Sequence, residues 1–192
     1  MKNLKELKDL KGFILDLDGT TYLSHKIFPG VIEFLEMLKK QNKKFIFLTN
    51  NSSQNTSEYV LKLKKMGIEV KKENIYTSGQ ATAFYLIRQK KSPRIFVLGT
   101  PSFEKELKEA GCKLTDKNVD YVVAGFDKTL TYEKLKKGCL LIQGGAKFIA
   151  SHPDLNCSTT EGDIPDCGSI SASITASTGT KPFVIGKPNK KN

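Results

Sequence analysis

Short apolar runs alternate with amphipathic stretches along most of the chain. Residues 13–17 and 44–49 are apolar runs of strand length, and the second is typical of a strand covered on both faces. Apolar residues at helical spacing predict one helix over about 30–41 and another over 56–66, which ends at Gly67. This alternation favours an α/β fold with parallel strands.

The same alternation restarts near residue 74. Predicted strands and helices follow in the order "NIYTSG", "QATAFYLIRQ", "RIFVLG", "FEKELKEAG", "DYVVAGF", "TYEKLKKGCLLIQ" and "KFIAS". Residues 151–168 are irregular and rich in Pro, Asp, Ser and Gly, and they precede a predicted helix, "SISASITAST", and a short strand, "PFVIG". Because no long flexible linker separates the two units, the second is predicted to be inserted into the first. The first unit is predicted to comprise residues 1–78 and 182–192, and the inserted unit residues 79–181.

The composition is that of a globular protein, with 39% hydrophobic and 27% charged residues in a chain of 192. No apolar run approaches the ~20 residues that span a bilayer, and the N-terminus alternates charge with leucine. We therefore expect a cytoplasmic protein with no membrane partner. The four cysteines show no CxxC spacing and are predicted to be free thiols in a reducing compartment.

The formal net charge of +11 raises the possibility of nucleic-acid binding, because basic surfaces attract phosphate backbones. Only Arg88 and Arg94 are arginines, however, whereas bidentate recognition of bases and phosphates favours the arginine fork. The lysines are scattered along the predicted helices and are typical of solvated helix faces. We therefore expect no nucleic-acid partner.

Asp16 and Asp18 stand where the first apolar run meets a predicted turn at Gly19. Residues two apart on a strand point to the same side, and ligands of open α/β sheets bind outside the carboxyl ends of the strands. Two close carboxylates repel each other unless a cation intervenes, which favours a Mg²⁺ site. The alternative is an unequal pair, one ionised nucleophile and one proton carrier, and both interpretations can hold together.

Two more segments follow predicted strands. In "FLTNNSS" (47–53), the Thr49 hydroxyl and the next backbone amides would form an anion-binding turn, although asparagine and serine are also ordinary turn residues. In "VIGKPN" (184–189), Lys187 would neutralise the charge of a phosphate and a nucleophile together. In a chain so rich in lysine, a surface role for Lys187 is the other possibility.

In this order, strand-DxDGT, strand-TNN and strand-GKP resemble the first three motifs of the haloacid dehalogenase-like (HAD) superfamily. The resemblance extends to "DLDGTTY", "FLTNNSS", "TSGQAT", "HPDLN" and "GSISASI" and covers nearly the whole chain. It looks like the NagD-type branch, which includes p-nitrophenyl phosphatase, phosphoglycolate phosphatase and pyridoxal phosphatase relatives. The resemblance implies a Rossmann-like parallel-sheet core, begun by 1–78 and resumed at 182–192, with an α/β cap domain inserted over 79–181.

The activity that this resemblance implies is Mg²⁺-dependent hydrolysis of a small phosphorylated metabolite. Asp16 would attack phosphorus and form an aspartyl phosphate. Asp18 would protonate the leaving oxygen and later deprotonate the hydrolytic water. The Asp16 carboxylate and the Asp18 backbone carbonyl would contact Mg²⁺.

The remaining motifs would bind the phosphoryl group. By the same resemblance, Thr49 and the Asn50 amide would hold its oxygens, with Asn51 nearby, and Lys187 would offset the accumulating negative charge. This agrees with the residue-based interpretation, since phosphoryl transfer is mainly positioning and charge stabilisation.

The family has a fourth motif, an acidic pair after one more strand, which completes the Mg²⁺ site. The sequence ends five residues beyond Lys187, at "KPNKKN", without it. We therefore expect a C-terminally truncated form, whether an incomplete or frameshifted version of a longer gene, an expression fragment or a natural short form. The alternative function is then a catalytically impaired phosphate-binding or dimerisation module.

Substrate choice is expected to depend on the cap, which would also be the surface of any homodimer. In the irregular stretch 151–168, His152 and Asp154 are candidates for contact with the leaving group, although turn chemistry explains them equally well. Zinc binding by His152, Cys157 and Cys167 is a weaker alternative, because the three ligands lack finger or ribbon spacing.

Overall fold

A computed structural model describes residues 9–189. This part of the chain forms two parallel sheets and two small antiparallel hairpins. The strands are β1 Gly12–Leu15, β2 Tyr22–Leu23, β3 Lys26–Ile27, β4 Lys44–Thr49, β5 Ile75–Thr77, β6 Arg94–Leu98, β7 Lys113–Leu114, β8 Tyr121–Ala124, β9 Lys147–Ala150, β10 Asn156–Thr159, β11 Gly162–Pro165 and β12 Phe183–Val184. The helices are α1 Val31–Lys40, α2 Thr56–Lys65, α3 Ser78–Gln89, α4 Pro101–Glu109, α5 Tyr132–Gln143 and α6 Cys167–Thr178. The predicted α/β fold class is confirmed.

The smaller sheet has the strand order β1-β4-β5, and both pairs are parallel. Leu15 lies opposite Phe47, and Thr49 lies opposite Thr77, so the carboxyl ends of these strands meet at one edge. Helices α1 and α2 pack on the sheet, and the side chains at their contact with it include Leu38, Tyr59 and Leu63, all fully buried. This packing fixes the edge from which Asp16 emerges.

The larger sheet has the strand order β12-β9-β8-β6-β7, again with parallel pairs throughout. Helices α3 and α4 pack on one face, where Phe103 and Leu107 are fully buried. Helices α5 and α6 pack on the other face, where Ile170 and Ile174 are buried. Because both faces are covered, all four residues of β8 are buried, and the strand is apolar along its whole length.

Three elements depart from the sequence-based expectation. β4 is not covered on both faces, because its residues alternate between buried and more exposed positions, and Ile46 is 37% exposed. β1 ends at Leu15, so both aspartates lie in the turn that follows the strand. Within 151–168, strands β10 and β11 form an antiparallel hairpin, with Cys157 opposite Ile164. Its polar and glycine-containing sequence lacks the apolar alternation that predicts strands.

The division into core and cap stays a prediction, and the two sheets divide the described strands as follows. The smaller sheet ends with β5, at Thr77, and the larger sheet takes all its strands from residues 94–184. β12 pairs in parallel with β9 of the larger sheet, so 182–192 contributes its described strand to that sheet. The boundaries at 78/79 and 181/182 stay predictions.

Buried hydrogen bonds join the two sheets through the loop after β4. The hydroxyls of Ser52 and Ser151 lie 3.1 Å apart, and the Phe126 amide donates to Ser52 Oγ at 2.9 Å. Thr100 Oγ1 donates to the Ser53 carbonyl at 2.8 Å. The second predicted motif therefore also holds the larger sheet against the smaller one.

The structure also describes the cysteines and the hydropathy of the helices. All four cysteines are free thiols, as predicted, and three of them are buried. Within residues 9–189, no helix combines the length and the hydropathy needed to cross a membrane.

Asp120 provides a test of stability away from the predicted site. Its Oδ1 accepts from Lys90 Nζ at 2.7 Å and from Arg94 Nη2 at 2.9 Å, and its Oδ2 accepts from the Arg94 amide at 2.9 Å. The hydrogen bonds from Arg94 hold the pKa of this carboxyl well below its usual range, although burial opposes them. The resulting stabilisation is present above the unfolded-state pKa and is lost as the pH falls towards the lower folded-state pKa.

We expect Asp120→Asn to lower the free energy of unfolding by about 1 kcal/mol near pH 7, because both cations are partly exposed and screened. The difference should be smaller at about pH 2, which lies well below the unfolded-state pKa of about 3.9 and nearer to the depressed folded-state pKa. Urea unfolding at both pH values measures the difference. A gap of equal size at both values would contradict the assigned ion pair.

Candidate active site

The turn after β1 places two carboxylates side by side. The Leu17 amide donates to Asp16 Oδ1 at 2.9 Å, and Thr21 Oγ1 donates to the Asp16 carbonyl at 2.6 Å. Gly19 has φ +78°, a left-handed conformation that favours glycine, and its amide donates to the Tyr22 carbonyl at 2.8 Å. The Asp16 side chain is 41% exposed, so one of its oxygens can be reached from the cleft.

Lys187 reaches this turn from beyond β12. Its Nζ lies 2.8 Å from Asp16 Oδ1 and donates to the Leu48 carbonyl at 3.1 Å. Asn50 holds the lysine backbone from both sides, because its Oδ1 accepts from the Lys187 amide at 2.9 Å and its Nδ2 donates to the Lys187 carbonyl at 3.1 Å. A Cβ at Gly186 would lie 2.5 Å from Asn50 Oδ1, so this approach requires glycine.

The loop after β4 forms the opposite wall. Thr49 Oγ1 accepts from the Asn51 amide at 3.1 Å, and Asn51 Nδ2 lies 3.4 Å from Asp18 Oδ2. Asn51 Oδ1 is held by the amide and the hydroxyl of Ser53. The structure thus brings all six motif residues to one cleft of about 160 Å³, whose walls include Asp16, Asp18, Thr49, Asn50, Asn51 and Lys187.

Asp18 is the more buried of the two aspartates. Burial raises its pKa above the ordinary aspartate value, and the nearby Asp16 carboxylate acts in the same direction. Lys62 Nζ, 4.0 Å from Asp18 Oδ1, and the Asn51 side chain oppose this rise. The two aspartates are therefore unequal, since Asp16 is more exposed and contacts Lys187 directly.

Lys62 is a residue that the sequence does not single out. It lies on α2, whose first turn is fixed by a capping box in which the Glu58 amide donates to Asn55 Oδ1 at 3.1 Å and the Asn55 amide donates to Glu58 Oε2 at 2.9 Å. Its Nζ stands 4.1 Å from the centre of the Tyr22 ring. Nothing in its local sequence distinguishes it from the many other lysines on helices.

The two candidate cap residues, His152 and Asp154, differ in their access to the cleft. Asp154 lines the cleft and accepts from Asn50 Nδ2 at 3.0 Å. His152 is fully buried behind it, with Nδ1 3.5 Å from Asp154 Oδ2 and Nε2 3.4 Å from Asp166 Oδ1. Only Asp154 of the two faces the cleft, and substrate contact by either stays a prediction.

Asp166 is a second residue that the sequence analysis missed. It lines the cleft and caps α6, where its Oδ1 accepts from the Cys167 amide at 2.6 Å. Burial raises its pKa to about 6, although His152 opposes the shift. Asp166 stands three residues before the predicted helix "SISASITAST", and capping alone would not indicate a position in a cleft.

The donor sets distinguish the two predicted metals. Within the described residues, the two ring nitrogens of His152 have no hydrogen-bond partner and lie 3.5 and 3.4 Å from oxygens of Asp154 and Asp166. Cys167 Sγ donates to the Ala124 carbonyl at 3.4 Å. Across residues 9–189, no group of three or more His, Cys, Asp or Glu side chains is arranged to hold a metal ion. Asp16 and the Asp18 carbonyl supply hard oxygens, and Mg²⁺ is often held by one or two carboxylates plus water and phosphate.

Comparisons with known proteins agree with this geometry. The model of the haloacid dehalogenase-like hydrolase family matches residues 13–113. The 5'-nucleotidase YutF of Bacillus subtilis is 37% identical over 182 residues, which are 95% of this chain and 71% of that protein. The solved structure of a 4-nitrophenylphosphatase from Thermotoga maritima superposes with a TM-score of 0.89 at 50% identity, covering 94% of this chain and 69% of its own.

A more distant solved structure contains a metal. A glycerol phosphate phosphatase from Mycobacterium tuberculosis in complex with magnesium has a TM-score of 0.88 at 28% identity and covers 94% of this chain and 55% of its own. The fold and the matched motifs define a hydrolase of the phosphatase class. The chain belongs to the haloacid dehalogenase-like hydrolases, in their NagD and p-nitrophenyl phosphatase branch.

Proposed function

We propose that the protein hydrolyses small phosphomonoesters in a Mg²⁺-dependent reaction, with Asp16 as the nucleophile. The observation that carries the proposal is the contact of Asp16 with Lys187 at 2.8 Å beside the more buried Asp18, in one cleft. The Lys187 ammonium faces the Asp16 carboxylate directly, and burial favours a proton on Asp18. This arrangement supports the assignment of a nucleophile and an acid to the same cleft, as phosphoryl transfer requires.

In the first step, one carboxylate oxygen of Asp16 forms a bond to phosphorus as the bond from phosphorus to the ester oxygen breaks. Asp18 donates its proton to the departing alkoxide. Thr49 and the Asn50 amide bind the phosphoryl oxygens, and Lys187 offsets their negative charge. The products of this step are the alcohol and an aspartyl phosphate.

In the second step, water attacks phosphorus while Asp18, now ionised, accepts a proton from it. The bond between phosphorus and Asp16 breaks, which releases inorganic phosphate and restores the carboxylate. Asn51 Nδ2 lies 3.4 Å from Asp18 Oδ2. This contact keeps the Asp18 carboxyl directed at the cleft in both steps.

The Asp16 carboxylate and the Asp18 carbonyl would hold the metal, with phosphate and water as further ligands. Bound Mg²⁺ supplies charge neutralisation for the phosphoryl oxygens. Support for the choice of metal comes from the hard oxygen donors and from the magnesium complex of the M. tuberculosis relative.

The names of the relatives indicate the class of substrate. They act on nucleotides, 4-nitrophenyl phosphate and glycerol phosphate, all of which are small phosphomonoesters. We infer a small phosphorylated metabolite as the substrate and the cytoplasm as the compartment, where free thiols persist. A homodimer through the cap is the assembly we propose.

The proposal is tested with p-nitrophenyl phosphate, by measuring the release of p-nitrophenolate with added Mg²⁺ and with excess chelator. We expect hydrolysis that requires the metal and returns when it is restored. Hydrolysis that is unaffected by the chelator would refute the metal requirement.

The second candidate function is a phosphate-binding or dimerisation module. It is favoured by the small number of acidic ligands, since no cluster of three or more is found within the described range. Binding of inorganic phosphate without hydrolysis, both by the 192-residue chain and by the product of any longer reading frame, would support it. Hydrolysis by either protein would refute it for that protein.

A further inference from the structure

A larger cavity adjoins the cleft on the side of α2. Its volume is about 600 Å³, and it shares Asp18, Asn51, Cys157 and Ser158 with the cleft. Cavities of this size suit small organic ligands, whereas the cleft of about 160 Å³ suits a phosphoryl group. The larger cavity therefore begins where the alcohol part of a phosphomonoester would lie.

The cavity lies between α2 and the hairpin formed by β10 and β11. Beside Ser24 and Thr159 of its wall, the Thr160 amide donates to Ser24 Oγ at 3.2 Å and so joins this hairpin to the one formed by β2 and β3. Its apolar wall is formed by Leu61, Met66, Phe126 and Ile164. An alcohol with an apolar body, such as a ring, has matching surface here.

Three lysines from two different segments face the same cavity. Lys62 and Lys65 come from α2, and Lys128 comes from the loop after β8. Lys62 is only 16% exposed and is paired with Asp18. In the described part of the chain, Lys65 and Lys128 have no carboxylate oxygen within 4.0 Å, and Lys128 stands 5.7 Å from the centre of the Phe126 ring.

Three lysines and only two carboxylates, those of Asp18 and Glu58, line the cavity, so the carboxylates offset only part of the positive charge. Glu58 uses Oε1 to accept from Ser102 Oγ at 2.7 Å and Oε2 to accept from the Asn55 amide at 2.9 Å. Asp18 is committed to the proton transfers and to Lys62. The walls therefore leave positive charge directed at the position of the alcohol.

We propose that this cavity binds the alcohol part of the substrate and selects esters whose alcohol carries a second anionic group, with Lys65 and Lys128 as the specificity-determining residues. The proposal rests on the proposed phosphatase function. The second anion is a carboxylate or a phosphate, since both pair with ammonium groups. The apolar wall binds the body of the alcohol between the two charged ends.

The test compares three aryl esters of similar size: neutral 4-(hydroxymethyl)phenyl phosphate, 4-carboxyphenyl phosphate and 1,4-phenylene bisphosphate. We expect kcat/KM for at least one anionic ester to exceed that of the neutral ester by about five- to tenfold, the value of one partly screened ion pair. The ester with the larger ratio identifies the anion. Equal values for all three would overturn the proposal.

The Lys65→Gln/Lys128→Gln double variant should lose this preference and keep its activity towards the neutral ester. Lys64→Gln removes the same charge from the same helix outside both cavities, and it should keep the preference. A double variant that still prefers the anionic ester would overturn the assignment of these lysines.

If the double variant does not fold, the proposal is tested by the salt dependence of the wild-type preference for anionic esters. If exposed lysines create the preference, the ratio of kcat/KM for the anionic and neutral esters should fall towards one at about 0.5 M salt. An undiminished ratio would refute the proposal. An assay with p-nitrophenyl phosphate distinguishes failure of the anion-selectivity proposal from failure of the proposed phosphatase function. Hydrolysis of this ester without anion selectivity overturns only the present proposal, whereas no hydrolysis of any ester overturns the proposed function as well.

Discussion

Replacing Asp16 by asparagine is expected to reduce kcat for p-nitrophenyl phosphate by at least about 10³-fold, because a neutral amide cannot displace the leaving group from phosphorus. Asparagine is nearly isosteric with aspartate, and its carbonyl oxygen can still accept the Leu17 amide that now donates to Asp16 Oδ1. The loss should therefore arise from chemistry and not from collapse of the turn. It is measured by steady-state assay with added Mg²⁺.

Asp116→Asn is the matched control, because it makes the same substitution at an exposed carboxylate whose ion pair within residues 9–189 is with Lys137, at 3.2 Å. This variant should retain wild-type kcat. Circular dichroism and thermal unfolding should show both variants folded. If Asp16→Asn kept wild-type activity, the nucleophile would be a different group and the aspartyl-phosphate mechanism would fail.

The sequence predicts the positions of Asp16 and Asp18 because the pattern that indicates them is local. An apolar run ends at a glycine turn, and the two aspartates must emerge where that strand leaves the sheet. The strand in fact ends at Leu15, one residue before Asp16, but the turn still directs both carboxylates into the cleft. An error of one or two residues in a strand boundary leaves this prediction intact.

The parts that the sequence does not predict depend on distant contacts. Asn50 and Lys187 are 137 positions apart and meet through two hydrogen bonds, which no local pattern encodes. Lys62 becomes notable only because α2 packs with that side chain towards Asp18. The hairpin of β10 and β11 was missed for another reason, since its strands are polar and are stabilised by pairing with each other and not by an apolar face.

Lys187 is identified from the resemblance to a family, because hydrophobic periodicity does not distinguish one lysine from another. Lys187 stands out among the many lysines because its motif follows the other two in order. The structure gives it a physical distinction as well, a 2.8 Å contact with Asp16. That contact makes the lysine the most direct test of charge stabilisation in the cleft.

Lys187→Met is expected to lower kcat/KM by about 10²- to 10³-fold, since the charge that faces both Asp16 and the phosphoryl oxygens is removed. Methionine retains most of the length of the side chain. The two hydrogen bonds between this position and Asn50 use backbone atoms of residue 187, so they survive the substitution. The loop that holds Asn50 should therefore keep its place, and the loss should report on charge alone.

Lys181→Met, at an exposed position two residues before β12, removes the same charge outside the cleft and should leave kcat/KM unchanged. Lys187→Arg separates charge from geometry, because arginine keeps the cation but cannot place a single ammonium between Asp16 and the Leu48 carbonyl. Partial activity in Lys187→Arg, together with a large loss in Lys187→Met, is the expected pattern. A Lys187→Met variant within about threefold of the wild type would show that its pairing with Asp16 is structural, since a catalytic charge in such a cleft contributes far more than that.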